Sequence, residues 1–126
     1  MQWDKDFACD FQNDWDHDWS RLTQASNAEL ENGRTASALA FYVQAHSAAE
    51  NLLALAELSG HPVPAPASYN ISCHNIAEVM HRVGDLRGAE QWYVRSFERL
   101  IKVAASPGIP PRVRLPSVQH LKYALA

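Results

Sequence analysis

Gly33-Arg34-Thr35-Ala36-Ser37-Ala38-Leu39-Ala40-Phe41-Tyr42-Val43-Gln44-Ala45 and Gly84-Asp85-Leu86-Arg87-Gly88-Ala89-Glu90-Gln91-Trp92-Tyr93-Val94-Arg95-Ser96 share one spacing, G-x4-A-x3-Y-x2-[A/S], 51 residues apart. Gly33, Ala38, Tyr42 and Ala45 of the first copy correspond to Gly84, Ala89, Tyr93 and Ser96 of the second. A glycine suits a tight turn because it has no Cβ to clash at positive φ. The small residues let helix backbones approach, and the aromatic fills the seam between them. A unit of this kind repeated in one chain buries its apolar face against a copy of itself.

Working outward from each copy, residues 35–58 place Ala38, Phe41, Tyr42, Ala45, Ala48, Ala49, Leu52, Leu53 and Ala56 on one broad face at 100° per residue. Residues 86–104 do the same with Ala89, Trp92, Tyr93, Phe97, Leu100, Ile101 and Ala104, opposite Glu90, Arg95, Glu98, Arg99 and Lys102. Both read as amphipathic helices. Shorter helical segments precede them at residues 19–32 and 67–83, and each ends at a glycine that fits a left-handed helix stop. The unit is two antiparallel helices joined by a short turn.

Gly60-His61-Pro62-Val63-Pro64-Ala65-Pro66 separates the copies, and its alternating prolines remove amide donors and disfavour helix before them. Ser106-Pro107-Gly108-Ile109-Pro110-Pro111 makes a second break. The expected organisation is an acidic aromatic arm at 1–18, then one helical domain at 19–126. That domain holds a hairpin at 19–59, a hairpin at 67–105 and a C-terminal helix at 112–126, with Pro116 near that helix's first turn. In the arm Trp3, Phe7, Phe11, Trp15 and Trp19 recur every four residues, a spacing that suits a helix, while its six aspartates favour a partly ordered segment.

The fold class that follows is all-α. At 126 residues with 47% hydrophobic content, the chain is the size of one soluble domain with a real core. A net charge of -3 argues against a general nucleic-acid binder. The charge is uneven: six aspartates against Lys5 in residues 1–18, and five basic residues with no acid after Glu98. Such ends are either two solvated surfaces or an attractive pair, within a chain or between chains.

Cys9 and Cys73 without a C-x-x-C spacing give little support to disulfides or structural zinc, which points to reducing cytoplasm. The N-terminus lacks a basic stretch followed by an apolar one, and no eighteen-residue apolar run exists, so neither a secretory signal nor a membrane span is expected.

The two copies resemble the tetratricopeptide repeat, a helix-turn-helix module of about 34 residues with the pattern W-x2-L-G-x2-Y, A-x3-F, P. The second unit matches better. Cys73, Ile76, Ala77 and Met80 take first-helix positions, Gly84 the turn, and Ala89 and Tyr93 the small and aromatic sites of the second helix. Leu22, Ala25 and Ser26 do likewise in the first unit, where Glu29 replaces an aromatic. The resemblance spans residues 19–105 and implies hairpins stacked as a short right-handed superhelix or bundle, acting as a non-catalytic interaction module. The longer offset is absorbed by a longer second helix and the proline loop.

One polar stripe stands out. His74, Asn75, Glu78, His81 and Arg82 project from the first helix of the second unit. The resemblance implies a concave groove that holds a peptide or a partner helix, with Asn pairing to backbone, Arg to a carboxylate and His making pH-sensitive contacts. The alternative is a solvated face. A metal reading is weak: His74 and His81 lie roughly 10 Å apart along a straight helix, and Glu78-x-x-His81 has no second copy to complete a di-iron site.

Asp14, Asp16 and Asp18 alternate like calcium-loop ligands, but Trp19 and Ala25 stand where that loop needs glycine and glutamate. No phosphate loop, dinucleotide fingerprint or nucleophile elbow is visible. The expectation is therefore no catalytic residue, metal or cofactor, and a protein or peptide partner. A homodimer that buries the tryptophan-rich arm or the C-terminal helix is the second reading, because two repeats are fewer than the about three a solenoid needs. A helical metal enzyme is the third.

Overall fold

The computed structural model describes residues 5–59 and 65–124, with side chains over 16–59 and 65–121. Five α-helices follow in order: α1 (Lys5–Glu31), α2 (Thr35–Ser59), α3 (Ala65–Arg82), α4 (Leu86–Ala104) and α5 (Pro111–Ala124). No strand occurs among the described residues, and the protein is all-α. α1 packs on α2, α2 on α3, α3 on α4, and α5 against both α3 and α4. The result is a stack of helical hairpins closed by the last helix.

The duplication extends into the backbone. Among the described residues, Gly33 and Gly84 are those with positive φ, at 75° and 86°. Gly33 N–H donates to the Leu30 carbonyl at 3.1 Å and Arg34 N–H to Glu29 at 2.9 Å; Gly84 N–H donates to His81 at 3.1 Å and Asp85 N–H to Met80 at 2.9 Å. Each pair satisfies two carbonyls that a helix end leaves open, in the pattern of a Schellman stop. α4 then starts from Asp85, whose carboxylate accepts from the Gly88 amide at 2.9 Å.

The positions read as seam residues are buried: Ala38, Ala45, Ala49, Ala77, Ala89 and Ser96 retain almost no exposed surface. Tyr42 is also buried and packs against Ile76 and Val79 of α3, so it fills the joint between the two hairpins. Tyr93 is half-buried. A larger cluster joins Ala49, Leu52, Leu53 and Ala56 of α2 to Tyr69 and Cys73 of α3, Leu100 and Val103 of α4 and Val113 of α5. Burying one such side chain is worth about 1.5–3 kcal/mol, and this cluster spans four of the five helices.

Two buried hydroxyls of the second hairpin are paired. The Ser96 hydroxyl donates to Asn70 Oδ1 at 2.7 Å, and the Ser72 hydroxyl donates to the Ser68 carbonyl at 2.9 Å. Arg99, half-buried on α4, is clamped to α2 by Glu50 at 3.1 Å and by Glu57. Burial disfavours its charge, but the two carboxylates outweigh that and raise its pKa.

Three details differ from the sequence reading. α1 runs unbroken from Lys5, so residues 5–18, expected as an arm, continue the first helix; their side chains up to Trp15 lie outside the described residues. α3 begins at Ala65, because Pro66 falls in the first turn, where its missing N–H has no helical partner to lose. Pro116 sits inside α5 rather than near its start, so the Arg112 carbonyl lacks its helical donor. The loop expected at 60–66 falls outside the described residues over 60–64.

Candidate functional site

On α3 the 3.6-residue period divides the polar stripe between two neighbours. Asn75, Glu78 and Arg82 turn toward α1 and line a cleft of about 310 Å³ with Asn27, Leu30 and Glu31 of α1 and Tyr42 of α2. His74 turns the other way. Its ring stands edge-on to Tyr93 of α4, with centroids 4.9 Å apart at 81°, and its Nε2 is buried without a hydrogen-bond partner. Burial lowers the His74 pKa. His81 is exposed and does not line the cleft. The structure thus brings together three of the five stripe residues.

Within the cleft, Arg82 Nη2 donates to Glu78 Oε1 at 2.9 Å along one helix face. The Tyr42 hydroxyl donates to Asn27 Oδ1, which leaves the two amide N–H donors of Asn27 for other partners. Burial raises the Tyr42 pKa, the Glu78 carboxylate raises it further, and Arg82 opposes with a smaller effect. Glu31 makes no ion pair among the described residues. The cleft therefore offers two carboxylates, two amides, one neutralised guanidinium and the apolar wall of Leu30.

Asn27 and Glu31 escaped the sequence reading, yet a signal existed. They stand 51 residues before Glu78 and Arg82, so the offset that relates the hairpins also relates the two walls. Tyr42 was read as packing alone, and it serves both the seam and the cleft floor.

A wider depression of about 510 Å³ lies over Tyr69, Val94, Arg95, Glu98, Arg99 and Lys102. Its half-buried cation, Arg99, is already held by Glu50 and Glu57. Arg95 lies 4.2 Å over the ring of Trp92, a cation–π contact. Beside it, His46 of α2 stands edge-on to Trp92 at 4.9 Å and tilted to Tyr69 at 5.2 Å, joining α2, α3 and α4 through one imidazole. Among the described residues, no group of three or more His, Cys, Asp or Glu is placed to hold a metal ion. Nor is any helix there long and apolar enough to cross a membrane.

A family model for proteins of unknown function, DUF2753, matches residues 17–126. The chain belongs to that family. The matched span takes in both cleft walls, both hairpin turns and α5. Comparison with curated proteins and with solved structures gave no match.

Proposed function

We propose that this protein is a non-catalytic interaction module, similar to tetratricopeptide repeats, that holds a peptide or a helix of a partner protein in the cleft between α1 and α3. The observation that carries the reading is that equivalent positions of the two hairpins, 27 with 78 and 31 with 82, line one open cleft. Its donors and acceptors suit backbone and side-chain hydrogen bonding at moderate affinity. A cytoplasmic location belongs to the same proposal and rests on the two isolated cysteines. The test is recovery of partners from a lysate by the full chain and by Glu78→Lys and Arg82→Glu variants. A partner lost on charge reversal supports the cleft, and partners indifferent to both changes reject it.

A homodimer is the second reading, and one observation favours it. The solvent side of α2 carries Ala36, Ala40, Val43, Ser47, Ala54 and Leu58 and no charge, in a chain of net charge -3. The positions step by 4, 3, 4, then by 7 and 4, symmetrically about Ser47 once Asn51 is included, so two copies related by a twofold axis would meet in register. Light scattering over a wide concentration range tests it. A monomer throughout rejects it, and a dimer abolished by Ala40→Glu upholds it.

A further inference from the structure

We infer that the segment received by the α1–α3 cleft carries a cationic side chain, arginine or lysine, seated between the carboxylates of Glu31 and Glu78. This rests on the peptide-binding reading above and narrows it to one chemistry.

The lining holds two carboxylates against one guanidinium, and Arg82 is engaged by Glu78 at 2.9 Å. Glu31 has no such partner among the described residues. An acidic ligand would bring a third negative charge beside these two, which like-charge juxtaposition disfavours. A neutral ligand would draw nothing from the Glu31 charge. A guanidinium presents five donors in a planar fork, and a lysine ammonium three; the carboxylates and the Asn75 amide oxygen are acceptors for them.

Shape and surroundings agree. A cleft of about 310 Å³ is at the small end of ligand sites. It has room for one long side chain. Leu30 supplies an apolar wall along which the methylenes of arginine or lysine can lie. The neighbouring acids of α1 are already engaged, Asp18 by Arg21 and Glu29 by Arg34, which leaves Glu31 as the open carboxylate of this wall.

The inference makes Arg82 a competitor of the ligand, not a contact. Removing it frees Glu78 and should tighten binding, the reverse of what a carboxylate-binding groove would show.

The experiment is a titration of the full 15N-labelled chain with three acetylated decapeptides. Each alternates alanine with arginine, glutamine or glutamate. The arginine peptide should shift the amide signals of Asn27, Glu31, Asn75 and Glu78 most strongly, and less so at high salt. Glu31→Gln should weaken it about threefold and the Glu31→Gln, Glu78→Gln double variant about tenfold, while Arg82→Gln should strengthen it about threefold. These side chains are exposed or half-exposed, and an unchanged spectral dispersion confirms each variant's fold. If the glutamine or glutamate peptide binds the cleft as tightly, or Arg82→Gln weakens the arginine peptide, the cationic inference is overturned while the peptide reading stands. If no peptide moves the cleft signals, both are overturned.

Discussion

The indole nitrogen of Trp19 donates to the hydroxyl of Ser72 at 2.6 Å, across 53 positions of sequence. It ties the first helix of one hairpin to the first helix of the next, where consecutive helices alone would leave the joint to α2. Ser72→Ala leaves a half-buried N–H without its acceptor and should cost about 1–3 kcal/mol. Urea unfolding of the variant checks this, and Ser72→Thr should recover much of the loss.

Acid should loosen the α2–α3–α4 junction before it protonates most carboxylates. Burial, aided by Arg95, depresses the His46 pKa from 6.5 to about 4. The unfolded chain therefore binds the proton more readily between those values. Stability is full above pH 6.5 and falls as the pH drops toward 4, by on the order of 1–3 kcal/mol. His74 and His120 are shifted in the same direction by burial. Melting temperature followed against pH should show this slope, and His46→Phe should flatten it.

Cys73 should be chemically silent in the folded protein. It has no exposed surface, and burial pushes its thiol pKa up to about 12. In a Cys9→Ser background, labelling by an aromatic disulfide reagent at pH 8 should be as slow as global unfolding and should accelerate with urea. Rapid labelling in buffer would show that α3 opens locally.

Gly33→Ala and Gly84→Ala should cost similar amounts, about 1 kcal/mol each, because both glycines hold positive φ and neither has an atom within 4 Å of an added Cβ. Gly88→Ala should cost less, because the atoms it crowds end flexible side chains and alanine favours the helix. There a Cβ would meet the capping carboxylate of Asp85 and lie 2.8 Å from Met80 Sδ. Paired thermal melts of the three variants distinguish backbone strain from crowding.

The parts of this fold visible in the sequence are those where one residue type meets a local demand. A left-handed helix stop selects glycine at 33 and 84, and a close backbone contact selects alanine at 38 and 89. The stripe on α3 was visible for the same reason, since helical period alone puts His74, Asn75 and Glu78 near one another. Which edge of the stripe meets which neighbour was not visible. That depends on how α1 and α4 flank α3, a relation between helices far apart in sequence. His46 shows the same limit: among alanines it carries no periodic mark, and only the packing of Trp92 and Tyr69 makes it a junction. The aromatic spacing of residues 3–19 favoured helix and the aspartates opposed it, and α1 follows the spacing from Lys5 onward.

The cluster that runs from Leu53 through Tyr69 and Leu100 to Val113 draws on both hairpins and on α5. Neither half of the chain contains a complete interior. Two fragments, 1–59 and 65–126, should each be largely unstructured alone and should fold on mixing, each templating the other. The scaffold would then work as a split reporter whose reassembly is selected by Leu52, Leu53 and Ala56 finding the Tyr69 side of α3.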